Sequence, residues 1–267
     1  MADAGTAAAD LVNLADLIEL HRGLPRQGPG DADFSRRLLQ TLPKLPQRPR
    51  IADLGCGSGA GALLLAGFYG AEVLAVDTTA VFLEELAGHA RQRGLESLIR
   101  PLQADMGSLA WPPGSLDLIW SEGAAYILGF ETALTRWRPL LADEGVAVVS
   151  EMSWFTDAPP AEPREFWSAA YPTMAGEAEN RRRAQRAGFA VLGTERLPDE
   201  AWWKNYYGPL REKIEHLPAA FRGRAAVAEA EQEMQLFEQF SRHYGYTFYI
   251  LQPIGPGRSA VVQSIQS

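Results

Sequence analysis

The 267-residue chain has few of the features that mark secreted, metal-binding or membrane proteins. Its one cysteine, Cys56, excludes an internal disulfide and a cysteine-based metal cluster. It has no run of eighteen apolar residues, and residues 1–10 have neither the basic start nor the apolar core of a signal peptide. No pair of histidines is spaced as metal ligands. We therefore expect a cytoplasmic protein with no membrane span and no metal.

Basic residues are also scarce. Lys and Arg number 25 against 33 Asp and Glu, which gives a formal charge of −8. A broad nucleic-acid surface needs a net basic face, so the charge predicts a small-molecule partner and no nucleic acid. The apolar fraction of 46% indicates a globular chain long enough to bury a sizeable core.

The most informative stretch runs from Ile51 to Ala66, where a short apolar strand leads into a glycine loop and an apolar helical run. Glycines let a ligand approach the main chain, and the helix N-terminus offers free N–H groups. This arrangement predicts a nucleotide-like cofactor. Gly55, Gly57 and Ala60 also fit the dinucleotide fingerprint, so the glycines alone leave NAD open.

Asp53 distinguishes between these cofactors. A carboxylate two positions before the first glycine would repel a pyrophosphate and attract a primary ammonium. S-adenosylmethionine has such an ammonium and no phosphate. Residues 53–59, Asp-Leu-Gly-Cys-Gly-Ser-Gly, resemble the first motif of the class I methyltransferases that use this cofactor.

The resemblance extends over residues 50–151 and points to the small-molecule, UbiE-like (type 11) group. It implies S-adenosylmethionine as cofactor, with binding residues from the glycine loop, from later strand ends and from an N-terminal loop. We predict these to be Asp53, Gly55, Cys56, Gly57, Gly59, Asp77, Thr78, Asp105, Met106, Ser121, Glu122, Gln27 and Gly28.

Two acids follow predicted strands. Asp77 lies 22 positions after Gly55, the separation at which an acid can accept hydrogen bonds from ribose hydroxyls. Capping of the next helix is the structural alternative. The resemblance assigns Asp105 to the adenine amino group and Met106 to a ring nitrogen through its backbone N–H, and a helix N-cap is again the alternative for Asp105.

Glu122 follows the fourth predicted strand, where parallel α/β sheets place their ligands. Its carboxylate could face the sulfonium, anchor an amine substrate, accept a proton, or be a solvated loop residue. An acceptor that needs a base has three candidate catalytic residues, Glu122, Tyr126 and His21. His21 lies near the lid loop (residues 24–30), which the resemblance places over the cofactor and which could instead be an ordinary connector.

Aromatic residues concentrate after residue 151. Helices between the last two strands often cover the substrate in the resembled family, and we predict that the cover (residues 198–242) does so. Core packing or a homodimer surface is the rival interpretation. The predicted substrate-binding residues are Tyr126, Trp154, Trp202, Trp203, Asn205, Tyr206 and Tyr207.

Five strands alternating with helices predict a doubly wound α/β fold, and the resemblance adds two strands to give a seven-stranded, mostly parallel, Rossmann-like sheet. We divide the chain into N-terminal helices and the lid loop (1–49), a methyltransferase domain (50–254) that includes the cover, and a flexible tail (255–267). The predicted function is methyl transfer from S-adenosylmethionine to an unidentified small molecule by in-line displacement. A non-catalytic S-adenosylmethionine-binding protein and, less favoured because of Asp53, an NAD-dependent oxidoreductase are the alternatives.

Overall fold

A computed structural model describes residues 14–255. A mixed sheet forms the centre, with strand order β3-β2-β1-β4-β5-β8-β7. The strands are β1 (Ile51–Leu54), β2 (Val73–Asp77), β3 (Ile99–Gln103), β4 (Leu116–Ser121), β5 (Leu141–Trp154), β6 (Ala175–Gly176), β7 (Phe189–Arg196) and β8 (Tyr244–Pro253). The first five are parallel, and β8 runs antiparallel to both β5 and β7.

Helices cover both faces of this sheet. The first, α1, is described over residues 14–21. The others are α2 (Ala32–Thr41), α3 (Ala60–Tyr69), α4 (Ala80–Gln92), α5 (Phe130–Trp137), α6 (Ala161–Ala170), α7 (Glu177–Arg186), α8 (Asp199–Trp202), α9 (Gly208–His216), α10 (Ala219–Arg222) and α11 (Ala225–Phe240). A π-helical turn, Trp203–Tyr207, joins α8 to α9.

The predicted fold class is confirmed. Every residue of β1 and β4 is buried, as expected for central strands with helices on both sides. The antiparallel hairpin predicted at the end of the chain is formed by β7 and β8, and helices lie between them. The predicted tail from residue 256 onward, and the part of the first helix before residue 14, lie outside the described residues.

Residues 142–145 form an irregularity inside β5. Leu116 pairs with Leu141, whereas Leu118 pairs with Val146, so β5 has extra residues between these pairs. A Cβ on Gly145 would lie 3.0 Å from the Ala142 carbonyl oxygen and 3.2 Å from that of Leu116. The close approach of two backbones explains the glycine at this position.

Strand β5 continues well beyond the end of β4. The last β4 pairing joins Ser121 to Val149, and β5 then runs on to Trp154 beside β8. The two-residue strand β6, which the sequence analysis missed, pairs with Ser153 and Trp154. Residues 150–154 therefore form a wall above the carboxyl end of β4.

No helix among residues 14–255 combines the length and the apolar character needed to cross a bilayer. The same residues contain no group of three or more His, Cys, Asp or Glu side chains placed to hold a metal ion.

Gly59, which precedes α3, offers a test of how tightly the glycine loop packs on α4. Its φ is +89°, and a Cβ there would collide with the Leu86 side chain. We expect Gly59→Ala to lower the free energy of unfolding by about 3 kcal/mol, from backbone strain and overpacking together.

The matched control is Gly67→Ala in α3, where a Cβ would meet nothing within 4 Å. It should raise stability by about 0.5–1 kcal/mol, since alanine favours helix. Urea titration of both variants measures the difference. Equal midpoints would show that the loop relaxes around Leu86.

Candidate active site

The end of β2 holds the glycine loop in place. The N–H groups of Gly55 and Cys56 both donate to the Val76 carbonyl, at 2.9 Å each. The next residue, Asp77, accepts from the Gly57 N–H at 2.9 Å and from the Thr79 N–H at 2.8 Å. Asp77 is half-buried and lies directly against the loop. It therefore also acts locally as a hydrogen-bond acceptor for the turn before α4, as the alternative interpretation proposed.

Asp53 lies beneath the loop and is 2% exposed. Its Oδ2 atom has no hydrogen-bond partner and lies 2.8 Å from where a Cβ on Gly61 would stand. Burial, reinforced by repulsion from Glu122, raises the pKa of this carboxyl to about 8. A buried carboxyl oxygen without a donor is costly unless a ligand supplies one, so the site fits a ligand that carries an ammonium.

Glu122 is held on three sides. Its Oε2 accepts from Arg26 of the lid loop at 2.6 Å, and both side chains are only about a tenth exposed. Its Oε1 accepts from the Trp120 indole at 2.7 Å and from the Ser35 hydroxyl at 3.3 Å. Both oxygens are engaged, so Glu122 can accept a proton or contact a ligand only if one of these donors moves.

The lid loop lies on the glycine loop. Gln27 Oε1 accepts from the Ser58 N–H at 2.7 Å and lies 2.5 Å from where a Cβ on Gly57 would stand. The structure thus brings Gln27 to the glycine loop and Arg26 to Glu122, while a Cβ on Gly28 would meet nothing within 4 Å. Arg26 lies in the lid loop and was not among the residues predicted from the sequence.

His21 joins α1 to the cover. Its Nδ1 is 2.8 Å from the Leu17 carbonyl, so this nitrogen donates, and Nε2 then accepts from the Tyr206 hydroxyl at 2.8 Å. Burial lowers the pKa of the imidazole, which favours the neutral ring. His21 is therefore placed as an acceptor beside a tyrosine.

The remaining predicted cofactor residues are spread along the strand ends. Asp105 is exposed and accepts from the Gly107 N–H at 2.7 Å and the Ser108 hydroxyl at 3.1 Å, so it stabilises a turn between β3 and β4, where no helix begins. Met106 is buried, and its carbonyl accepts from the Trp137 indole. Ser121 donates to the Leu54 carbonyl at 2.8 Å and so ties β4 to β1.

Two other predicted residues complete this edge of the sheet. Thr78 is exposed, and its carbonyl accepts from Gln103. Cys56 is buried, and burial raises the pKa of its thiol well above the ordinary value, which disfavours the thiolate.

Most predicted substrate residues pack against one another. Trp202 and Tyr207 are each about 1% exposed, and Trp202 stacks on Phe237 with ring centres 4.2 Å apart. Trp203 packs edge-on against Tyr207, and Trp154 packs in the same way against Tyr244. These four side chains build the interior of the cover and its contact with the sheet, whereas Tyr126 is 47% exposed.

Asn205 has a different position. Its Nδ2 donates to the Gly30 carbonyl at 2.9 Å and to Asp31 Oδ2 at 3.0 Å. It therefore fastens the cover to the end of the lid loop, and with the His21–Tyr206 contact it closes one side of the site.

The sequence analysis missed two acids near the site. Glu151, in β5, is 1% exposed and accepts from the Tyr171 hydroxyl at 2.5 Å. Glu233, in α11, accepts from the Tyr207 hydroxyl at 2.7 Å. Glu151 follows the apolar run of residues 146–149, and an acid at the end of a strand could have been predicted to lie near the site. Nothing in the sequence around Glu233 indicates its position.

Comparison with known proteins bears on the predicted family. Residues 51–145, from β1 through the glycine loop and β4 into β5, match the model of the methyltransferase domain. This match bears out the predicted resemblance to the S-adenosylmethionine-dependent methyltransferases, and with it the predicted enzyme class and cofactor.

One curated relative is the ribosomal protein arginine N-methyltransferase rmt3 of Schizosaccharomyces pombe, 28% identical over 130 residues. The match covers 45% of this chain and only 24% of that protein, so the methyltransferase corresponds to about a quarter of the relative's length.

Solved structures share the fold over most of the chain. YjhP of E. coli has a TM-score of 0.75 at 18% identity, covering 89% of this chain and 99% of that one. The [4+2]-cyclase SpnF has a TM-score of 0.73 at 19% identity, covering 91% and 94%. A methyltransferase from Geobacter sulfurreducens with bound S-adenosylhomocysteine has a TM-score of 0.68 at 17% identity, covering 91% and 98%.

Removing one partner of the Arg26–Glu122 ion pair should be costly, because both side chains are nearly buried. Removing one partner leaves an uncompensated charge, so we expect Arg26→Met to cost about 3 kcal/mol of unfolding free energy. Adding Glu122→Gln should recover about 2 kcal/mol of that loss. A double-mutant cycle by urea unfolding measures the coupling.

The control cycle uses Arg22 and Glu19, which lie 4.0 Å apart and are more than half exposed. Their coupling should stay below about 1 kcal/mol. Equal coupling in the two cycles would show that the lid loop is solvated in solution.

The pKa of Asp53 gives a pH-dependent prediction for the ligand-free methyltransferase. Its carboxyl keeps a proton up to about pH 8, whereas the unfolded chain releases it near 3.8. The folded state therefore binds more protons in this interval, and the free energy of unfolding falls as pH rises, by up to ~1.4 kcal/mol per pH unit.

We expect Asp53→Asn to reduce the slope between pH 5 and pH 8 in chemical denaturation by up to ~1.4 kcal/mol per pH unit, while the slope from Glu151, whose burial also raises its pKa to about 8, remains. Glu72→Gln, whose side chain is 53% exposed, is the control and should leave the slope unchanged. Parallel profiles for all three proteins would mean that Asp53 is ionised in the free enzyme.

Proposed function

We propose that this methyltransferase transfers a methyl group from S-adenosylmethionine to a small-molecule acceptor by in-line displacement. The observation that carries the proposal is the unpartnered Oδ2 of Asp53, buried under a glycine loop that rests against Asp77. An ammonium beside Asp53 and hydroxyls beside Asp77 are the groups that such a pair would hold.

Each group of the cofactor would be bound by different residues. Asp53 would take the ammonium, Asp77 the ribose hydroxyls and the segment at Asp105 and Met106 the adenine. Gln27 and Arg26 would cover the methionine end from the lid loop. When bound, S-adenosylmethionine supplies an electrophilic methyl group on a positively charged sulfur, and Glu122 at the end of β4 offers compensating negative charge nearby.

The remaining task of the protein is alignment and exclusion of water. The acceptor attacks the methyl carbon opposite the carbon–sulfur bond, so positioning can supply much of the rate enhancement. His21 could deprotonate an acceptor that needs a base once the Tyr206 hydroxyl moves off its Nε2 atom, and Tyr126 is proposed to contact the acceptor through its exposed ring.

Enclosure of the site supports a small acceptor. Asn205 fastens the cover to the lid loop, and Lys213 of α9 donates to the carbonyls of Glu19 and Arg22 at 2.5 Å each. A folded protein or nucleic acid cannot enter past these contacts unless the lid loop and the cover separate. We also propose that the chain divides into three parts, with boundaries after residues 49 and 254, and that it forms a homodimer.

The test begins with titration calorimetry of S-adenosylmethionine and NAD, followed by incubation with methyl-labelled cofactor and a panel of amines, alcohols, thiols and carbon acids. We expect binding of S-adenosylmethionine alone and labelling of one acceptor class. Binding of NAD alone would refute the proposal. Cofactor binding without transfer to any acceptor would favour a binding protein or a different reaction, and labelling of ribosomal protein would favour a macromolecular acceptor.

Asp77→Ala should weaken S-adenosylmethionine binding at least tenfold, because the ribose contacts and the support of the Gly57 N–H are both lost. Glu72→Ala, which removes an exposed acid just before β2, is the control and should leave the dissociation constant unchanged. Unchanged affinity in Asp77→Ala would remove Asp77 from the cofactor site.

A further inference from the structure

Glu151 lies at the level of the reacting end of the sheet. The register of β4 and β5 pairs Ser121 with Val149, so Glu151 is two residues above the end of β4 and level with Gly123. The Gly123 N–H donates to the neighbouring Ser150 hydroxyl at 2.8 Å, which fixes the loop after β4 against β5 at this point. Glu151 therefore belongs to the wall above the carboxyl end of β4.

One oxygen of the Glu151 carboxyl has no partner. Oε1 accepts from the Tyr171 hydroxyl, whereas Oε2 is buried and unpartnered in a side chain that is 1% exposed. The nearby cation does not satisfy it. Arg183 donates instead to the Thr173 carbonyl at 2.9 Å and to Asn180 Oδ1 at 3.1 Å. Such an orphaned acceptor is costly, and folding alone does not explain it.

Tyrosines surround this carboxyl. The ring of Tyr171 meets the ring of Tyr126 edge-on, with centres 5.8 Å apart. Tyr246 reaches the same place from β8, since its hydroxyl lies 3.0 Å from where a Cβ on Gly123 would stand. Tyr126, 47% exposed, offers a free aromatic face to a ligand. Aromatic faces attract cations.

Glu233 brings a second acid from the cover. Besides burial, the charges of Glu233 and Glu151 raise the pKa of the Tyr126 hydroxyl, and the same two acids act on Tyr246. Both acids therefore lie close enough to the two tyrosines for their charges to act on the hydroxyl groups. The combination of acidic groups, aromatic faces and an unsatisfied carboxyl oxygen is suited to a positively charged ligand.

We propose that the methyl acceptor is a small amine, that Glu151 selects it by binding its ammonium form, and that the ionised Glu151 carboxylate then takes the ammonium proton, which frees the nitrogen lone pair to attack the methyl carbon. The inference rests on the proposed function and gives the substrate class of the same site. Glu151 acts in recognition and as the proton acceptor, with Tyr126 and Tyr171 providing the aromatic walls. An uncharged acceptor of the same shape could offer the Oε2 atom only a hydrogen bond from a neutral group, without the ion pair, and would bind more weakly.

Proton linkage provides an independent readout. Burial raises the pKa of Glu151 to about 8, although Tyr171 and Arg183 oppose the shift, so the empty site is protonated at neutral pH. A cation bound beside Oε2 favours the ionised carboxyl, and binding at pH 7 should release a proton.

The titratable and charged groups that face Glu151 are Tyr126, Tyr171, Tyr246, Tyr249 and Arg183. Burial raises the pKa of all four tyrosines, so they stay neutral over this range.

The experiment uses the full-length protein saturated with S-adenosylhomocysteine and the probes 2-phenylethylamine and 2-phenylethanol, which share a shape and differ in charge. Titration calorimetry at pH 8 should show at least tenfold tighter binding of the amine. Glu151→Gln should remove that preference and leave the affinity for the alcohol unchanged. Glu144→Gln, which neutralises an exposed acid of the same strand, should bind both probes like the wild type.

Each result bears on the proposal. Equal affinities for the two probes in the wild type, or binding of neither, would overturn it, and so would a Glu151→Gln protein that keeps the preference. If that variant does not fold, the wild type is titrated with the amine at pH 7 in two buffers of different ionisation heat. Equal binding enthalpies in the two buffers would show that no proton is released and would also overturn the proposal. Failure of S-adenosylhomocysteine to bind would instead refute the proposed function, whereas cofactor binding with transfer to alcohols alone would refute only this inference.

Discussion

The site depends on how the end of β2 holds the glycine loop. A single carbonyl, that of Val76, accepts from two successive N–H groups of the loop, and Asp77 takes a third from Gly57. These bonds fix a backbone that no regular element could support, since Gly55, Gly57 and Gly59 all have positive φ. The start of α3 and the buried Asp53 are positioned as a result.

The second constraint is buried charge. Asp53, Glu122 and Glu151 all lie on the carboxyl side of the parallel strands, and within residues 14–255 only Glu122 of these three has a cationic partner. The other two each keep one oxygen unpaired. Folding gains nothing from such groups, which is why acids of this kind concentrate where a protein binds a ligand. Arg26 of the lid loop compensates the charge of Glu122. The charge of the site therefore depends on the position of the lid loop.

Much of the fold was predictable because the signals are local. The glycine loop, the strand-end acids and the alternation of strands and helices each fall within a few residues, and the sheet that they predict is the one observed. The strand β6 and the irregularity in β5 were not predictable, since pairing with a distant edge decides both. The cover aromatics show a further limit: spacing cannot tell Trp202, which is buried against Phe237, from Tyr126, which keeps an exposed ring. Glu233 reaches the site only through tertiary packing of α11.

The contact between Asn205 and Gly30 has a consequence for how firmly the two halves of the site are held. The bond between Asp77 and the glycine loop spans 20 positions of sequence, whereas the Asn205 bond spans 175. Closing the longer loop costs about 2 kcal/mol more in chain entropy. The part of the site proposed to bind the methyl donor is thus made of near neighbours in the sequence. The part proposed to bind the methyl acceptor is enclosed at a higher entropic cost. The contacts between the cover and the lid loop are therefore opposed by a larger loss of chain entropy than the contacts within the glycine loop.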